Sequence, residues 1–207
     1  MRLTLHTFLS LDGVMQAPGA PDEDTDGGFR YGGWSYHYSD ADFAQAMAGW
    51  FGQAGAFLLG RKTYEIWRGF WPDVTDPADP IASKLNTLPK YVASAALTSV
   101  IGWPDSVLLG GDVAAEVAKL KRQPGGELQV HGSGGLAQTL IEHDLVDEYR
   151  LLYFPVHLGR GKRLFRDATR AGALRLTSTK ATSSGVIIAT YEPDGPVRQG
   201  SFTAGQQ

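Results

Sequence analysis

"VHGSGGLAQTLI", residues 130–141, joins a strand-like run to a helix-like run through three glycines and a serine. A strand entering a helix needs a tight turn, and glycine takes the required dihedrals without strain. One or two glycines would serve that purpose. Gly132, Gly134 and Gly135 around Ser133 ask for a second reason. The first amides of a helix lack intrahelical partners and carry partial positive charge. Bare glycine backbone lets a phosphate oxygen approach them closely. Ser133 would add a hydroxyl donor. The stretch fits G-x-G-x-x-G/A at Gly132, Gly134 and Ala137, yet residues 149–166 hold no Asp or Glu to take a ribose hydroxyl. The dinucleotide fingerprint of a Rossmann domain is therefore not met.

A second junction of the same kind lies upstream. In "LLGRKTYEIW", residues 58–67, Gly60 is followed by Arg61, Lys62 and Thr63 at the start of a helix. Two cations and a hydroxyl beside free helix amides make an anion site. The plainer reading is a surface helix with solvated cations. In parallel sheets ligands gather at the carboxyl ends of the strands. Two such junctions on one edge would suit a ligand with several phosphates.

Outward from these junctions, strands and helices alternate. Strand patterns cover Leu3–Leu9, 56–60, 90–94, 106–110, 127–131 and 148–156. Helical spacing joins Phe43, Met47, Trp50 and Phe51 after a cap at Ser39 or Asp40, and Val113, Val117 and Leu120 further on. Ala137, Leu140 and Ile141 form the inward stripe after the glycine run. Residues 173–181 and 185–193 read as an antiparallel strand pair about Ser183-Ser184-Gly185. The expected fold is α/β, three layers, with a mostly parallel central sheet and an antiparallel C-terminal edge. Residues 1–193 form one domain, and the polar tail 194–207 is expected to be disordered.

Composition narrows the function. The chain has 207 residues, 43% hydrophobic and 20% charged, with a net charge of −3. No long basic run invites a nucleic acid or an anionic membrane. No cysteine is present, which removes thiolate catalysis and disulfides. No signal peptide or membrane-length apolar run is evident, so the expected location is the cytoplasm. Ser133 has His131 rather than Gly two residues before it, so no G-x-S-x-G elbow exists. No P-loop is present, and His6, His37, His131, His143 and His157 show no metal-ligand spacing, so no metal is expected.

The ordered motifs "FLSLDGVMQ" (8–16), "LLGRKTYEIW" (58–67), "PKYVAS" (89–94), "HGSGGLAQTL" (131–140) and "LVDEYRLLYFPVHLGRGKRLF" (145–165) resemble the dihydrofolate reductase superfamily. Within it they resemble the branch of the C-terminal reductase domain of bifunctional riboflavin-biosynthesis enzymes. The resemblance implies a dihydrofolate reductase-like fold and an NADPH-dependent reductase acting on a small substrate. That substrate would be pterin-like or a riboflavin-precursor pyrimidine, as in 5-amino-6-(5-phosphoribosylamino)uracil reduction. A non-catalytic NADP(H)-binding module of the same fold is the alternative. Carried over by position, Gly60, Arg61, Lys62 and Thr63 would hold the adenosine 2′-phosphate and pyrophosphate. Ser94 would lie near the adenosine phosphate, and Gly132, Ser133, Gly134, Gly135 and Leu136 would form the second phosphate-binding turn. Val14 and Met15 match the loop over the nicotinamide, although Met15 equally suits a core. Asp12 could face the cofactor, relay a proton, or cap the turn at Gly13.

An acid that orients folate would fall near Phe43 and Ala44, where Asp40 and Asp42 are out of phase and suit the helix start instead. The loop 12–38 is long enough to act as a lid. Its aromatics, Trp34 and Tyr36 among them, could stack on a flat substrate with His37 or a Tyr hydroxyl as a proton source, or could pack the loop on its own domain or on a second subunit. Arg160, Lys162 and Arg163 read as a solvated turn. The resemblance also implies a homodimer, with "YFPVHLG" (153–159) as a pairing strand.

Overall fold

The computed structural model describes residues 1–202. Residues 203–207 of the expected tail lie outside the described residues. An eight-stranded sheet runs in the order β4-β3-β2-β5-β1-β6-β8-β7. Its strands are β1 (Leu3–Ser10), β2 (Ala54–Gly60), β3 (Lys90–Ala93), β4 (Ser106–Leu109), β5 (Glu127–His131), β6 (Glu148–Phe154), β7 (Leu174–Ala181) and β8 (Ile187–Pro193). All pairings from β4 to β6 are parallel, and β6-β8 and β8-β7 are antiparallel. β1 and β2 are buried along almost their whole length, as expected of parallel strands covered on both faces.

The helices are α1 (Ala41–Gly52), α2 (Arg61–Arg68), α3 (Ala82–Thr87), α4 (Val113–Lys121) and α5 (Gly134–Glu142). On one face α1, α2 and α3 contribute Met47, Phe51, Tyr64 and Leu85 to a core with Phe57 and Phe154. On the other, α4 and α5 contribute Val117, Leu120, Leu136, Ala137, Leu140 and Ile141 to a core with Leu5 and Leu58. The apolar stripes of α1, α4 and α5 thus point inward as their spacing requires. Asp40, not Ser39, caps α1, accepting from the Phe43 amide at 2.8 Å.

The strand order sets the position of the site. From β1 the chain passes through α1 to β2, on one side; from β5 it passes through α5 to β6, on the other. β1 and β5 are paired only from Leu3–His6 to Leu128–His131, whereas β1 follows β6 as far as Ser10. A crevice therefore opens between the carboxyl ends of β1 and β5, at the topological switch point.

Several strand ends differ from the sequence reading, two of them for a clear physical reason. β6 stops at Phe154 rather than Val156, because Pro155 has no amide to continue the ladder. β3 stops at Ala93, since the Ser94 hydroxyl accepts from the amides of Ala96 and Leu97 and turns the chain. β6 is also flanked by β1 and β8, so residues 153 and 154 offer no free edge to a second copy. Beyond β8, the backbone pairs Ala173–Gly195 and Asp194–Ala173 hold the first residues of the expected tail to the start of β7.

Candidate active site

The two glycine junctions meet. α2 and α5 both begin at the crevice, and neither start receives a side-chain cap. Gly132 and Ser133 both have left-handed backbone, at φ 56° and 51°. For Ser133 that conformation costs roughly 1–2 kcal/mol. Its side chain offsets the cost. Ser133 Oγ accepts from the Gly60 amide at 3.0 Å and lies 3.1 Å from Thr63 Oγ1 and 3.0 Å from the His131 carbonyl. The hydroxyl read as a spare donor instead lashes the junctions together. A Cβ at Gly60 would stand 3.4 Å from the Ser133 Cβ, an ordinary van der Waals contact that shows how closely the two junctions pack. At Gly135 a Cβ would meet open space, and at Gly134 it would meet Met15 Sδ at 3.2 Å and an Arg166 nitrogen at 3.5 Å.

The junctions line a cavity of about 1120 Å³. Gly60, Arg61, Lys62, Thr63, Ser94, the 132–136 turn, Met15 and Tyr36 all line it. Val14, Trp34, His37 and Asp12 do not. Val14 is fully buried with Ala17 and Phe29 in a small core beneath the loop. The Trp34 indole donates to the Gln16 carbonyl and packs its edge on Phe154. His37 lies edge-on to Tyr36. Asp12 accepts from Ser10 Oγ and from the amides of Leu158 and Gly159. Desolvation would raise its pKa, but these donors outweigh it and hold the carboxylate at about 2. It staples β1 to the turn after β6, rather than capping Gly13. Ser94 lines the cavity with its hydroxyl already committed to its own turn.

The 12–38 loop is tied down by ions. Asp24 and Asp26 each bind both Lys62, from α2, and Lys162, from the segment after β6, at 2.6–2.8 Å. Arg160 donates to the Gly27 carbonyl and Arg163 to that of Asp12. The basic stretch expected to be a solvated turn is thus the anchor of the loop. Gln16 is the hub beneath, donating to the carbonyls of Asp24 and Asp26 and accepting from the Lys162 amide. Asp40 and Asp42 are committed elsewhere, Asp40 to α1 and the 183–184 turn, Asp42 to Lys180.

A histidine pair escapes sequence reading altogether. His6 ends the β1–β5 register opposite His131, and their rings stack with centroids 4.3 Å apart. Both line the cavity and both are buried. Beneath them Arg150 binds Glu127 and Glu148 and lies against Trp50. Burial, with the Arg150 cation adding to it, lowers the His131 pKa to about 3. Burial, then His131 and Arg150, hold His6 well below the usual imidazole range. Both rings are neutral at neutral pH. Arg166, beside Gly134, was likewise unmarked by any motif. Among the described residues no group of three or more His, Asp or Glu side chains could hold a metal ion, and no helix is long and apolar enough to cross a membrane.

Comparison with known proteins gives the fold and the family. The uncharacterized protein YyaP of Bacillus subtilis strain 168 is 32% identical over 145 residues, covering 69% of this chain and 76% of that protein. A crystal structure from Shewanella sp. PV-4, provisionally assigned to riboflavin biosynthesis, superimposes with a TM-score of 0.66 at 22% identity, over 94% of this chain and 99% of that one. Dihydrofolate reductase from Enterococcus faecalis, in complex with NADP(H), superimposes with a TM-score of 0.58 at 11% identity, over 93% and 96% of the two chains. These two structures establish a dihydrofolate reductase-like fold. The family model of the RibD C-terminal domain matches residues 2–188, and the chain belongs to that family.

Proposed function

We propose that the protein, through residues 1–193, is an NADPH-dependent reductase that passes a hydride to a small heteroaromatic substrate, pterin-like or of the riboflavin-precursor pyrimidine type. The contact of Ser133 Oγ with Thr63 Oγ1 carries this reading. It sets two uncapped helix starts side by side at the switch point, where one polyphosphate ligand can use both. The residues present fit such a cofactor. Gly135 leaves open space at the α5 start, and Arg61, Lys62, Lys162 and Arg166 are the Arg and Lys side chains lining the cavity. Arg61, Lys62 and Thr63 would take the 2′-phosphate and one end of the pyrophosphate, and the amides from Gly134 to Leu136 the other. NADPH bound there would supply the hydride.

The chain's own part is to position the reactants and exclude water. The cavity exceeds the ~300–1,000 Å³ usual for a single small-ligand site, which leaves room for a substrate beside the cofactor. The ion-anchored loop supplies Met15, Gln16 and Tyr36 to the lining. Neither Asp40 nor Asp42 is free to orient a pteridine as a carboxylate, which argues against dihydrofolate as the substrate.

Fluorescence titration of NADPH, followed by oxidation assays with pterins and pyrimidines, tests the proposal. Lys62→Ala should weaken NADPH about tenfold or more, the loss of one charge-assisted bond. Equal NADPH affinity for the variant and the parent would refute the assignment of Lys62. No NADPH binding by the parent at millimolar concentration would refute the reductase. Binding without turnover of any acceptor would identify the nucleotide-binding module instead.

A further inference from the structure

We infer that the stacked His6–His131 pair is the polar recognition element for an uncharged, unphosphorylated aromatic heterocycle bound against the α1 wall of the cavity. The inference rests on the reductase reading for the identity of the site and adds the class of its second ligand. Its first support is an orphan. His6 Nδ1 is buried without a hydrogen-bond partner among the described residues, while its Nε2 is bonded to Thr4 Oγ1 at 2.9 Å. More than nine in ten buried polar groups are paired, so an unpaired imidazole nitrogen on a residue that lines the cavity points to a ligand. His131 complements it. Its Nε2 faces Gln129 Oε1, an acceptor because the Gln129 amide nitrogen donates to Trp50 and Glu127. Nε2 therefore carries the proton, and Nδ1 is an acceptor.

The second support is the wall around the pair. Phe8, Phe43, Phe51, Trp67 and Trp71 line this side of the cavity. Phe51 stacks on His131, Trp67 tilts against it at 5.6 Å between centroids, and Phe8 meets Phe43 edge-on. Flat faces of this kind suit a ring system. The charges here are negative. Asp40 and Asp79 line the cavity with their carboxylates spent on capping α1 and the turn into α3. The four lining cations lie elsewhere, on the first turn of α2 and in the segment after β6. A phosphate on the substrate would find neither a cation nor a free helix start on the α1 wall. The ring that binds there offers its polar edge to two neutral imidazoles.

Three probes test this on the full chain without NADPH: 7,8-dihydropterin, 5-amino-6-(5-phosphoribosylamino)uracil and the same riboside without its phosphate. Calorimetry should show dihydropterin binding, and the riboside binding at least as tightly as its phosphate. Saturation with dihydropterin should move the ring ¹⁵N resonances of His6 and His131 in the unaltered protein. His6→Leu and, separately, His131→Gln should weaken dihydropterin about tenfold, the loss of one hydrogen bond to a desolvated group, with NADPH affinity unchanged. A phosphorylated probe bound about tenfold tighter than its riboside overturns the inference. So do unmoved histidine resonances at saturation, or no binding of any probe at millimolar concentration. NADPH is titrated separately, so failure of the cofactor reading and failure of this one are read on different ligands.

Discussion

Thr63 Oγ1 lies 3.1 Å from Ser133 Oγ, and this contact joins two helix starts that are far apart in the chain. Ser133 does more here than Thr63, because the Gly60 amide also depends on its oxygen. Thr63→Ala should cost about 0.5–1.5 kcal/mol, a neutral hydrogen bond. Ser133→Ala should cost about 1–3 kcal/mol, since it strands a partly buried amide and keeps a side chain in left-handed backbone. Ser133→Gly should lose less than Ser133→Ala, because glycine relieves the strain at φ 51°. Urea denaturation of the three variants checks the order.

The latch of Asp24 and Asp26 on Lys62 and Lys162 should respond to salt, not to physiological pH. Hydrogen bonds from Lys162 and then Lys62 depress Asp26 to about 2. For Asp24, desolvation raises the pKa, but the bonds to Lys162 and Lys62 outweigh it and leave it below the ordinary value. A lowered carboxylate pKa gives stability that is present above the ordinary value of 3.8 and lost as pH falls through the depressed one. Amide exchange in residues 17–38 should therefore be constant from about pH 6.5 to 8 once corrected for intrinsic rate. Molar salt should speed it, because the Lys62, Lys162 and Asp26 side chains of the network reach solvent, where salt weakens ion pairs. Asp24→Asn should mimic the salt.

Stability should fall on acidification for a different reason. His6 and His131 are neutral in the folded protein, with pKa values below the ordinary 6.5. Between that value and the depressed ones the unfolded chain binds more protons, so stability rises with pH and declines as pH drops below about 6.5. The decline should approach a slope of about two protons near pH 5. His131→Gln should reduce that slope by about one. A slope unchanged in the variant would show that His131 is protonated in the fold.

Much of the architecture was legible from local pattern. The apolar runs of β1, β2 and β5, the helical stripes of α1, α4 and α5, and the glycine starts of α2 and α5 are short-range signals. The pairing partners are not. That Ser133 meets Thr63, or that His6 stacks on His131, follows from β5 inserting between β2 and β1, a crossover no single segment encodes. Asp12 misled because Asp-Gly is a turn signature in itself. Its real partners, the amides of Leu158 and Gly159, lie on another strand's exit. Lys162 looked solvated for the same reason, its two aspartates being far upstream.

Two neighbouring glycines should respond to alanine with opposite signs. Gly49 is exposed within α1, and a Cβ there would meet nothing within 4 Å. It contributes only flexibility, so Gly49→Ala should stabilise by about 0.8–1.0 kcal/mol, the helix-propensity difference. Gly55 sits at the irregularity where β2 shifts register against β5, between Ala54 and Ala56. A Cβ there would stand 2.7 Å from the Gly126 amide nitrogen and 2.9 Å from its Cα. Those are backbone atoms and cannot swing aside. Gly55→Ala must push β5 from β2 at the base of the strand that carries His131, and should cost at least about 2 kcal/mol by overpacking. Thermal melts of the two variants would refute the packing of β2 on β5 if Gly55→Ala were as stable as the parent.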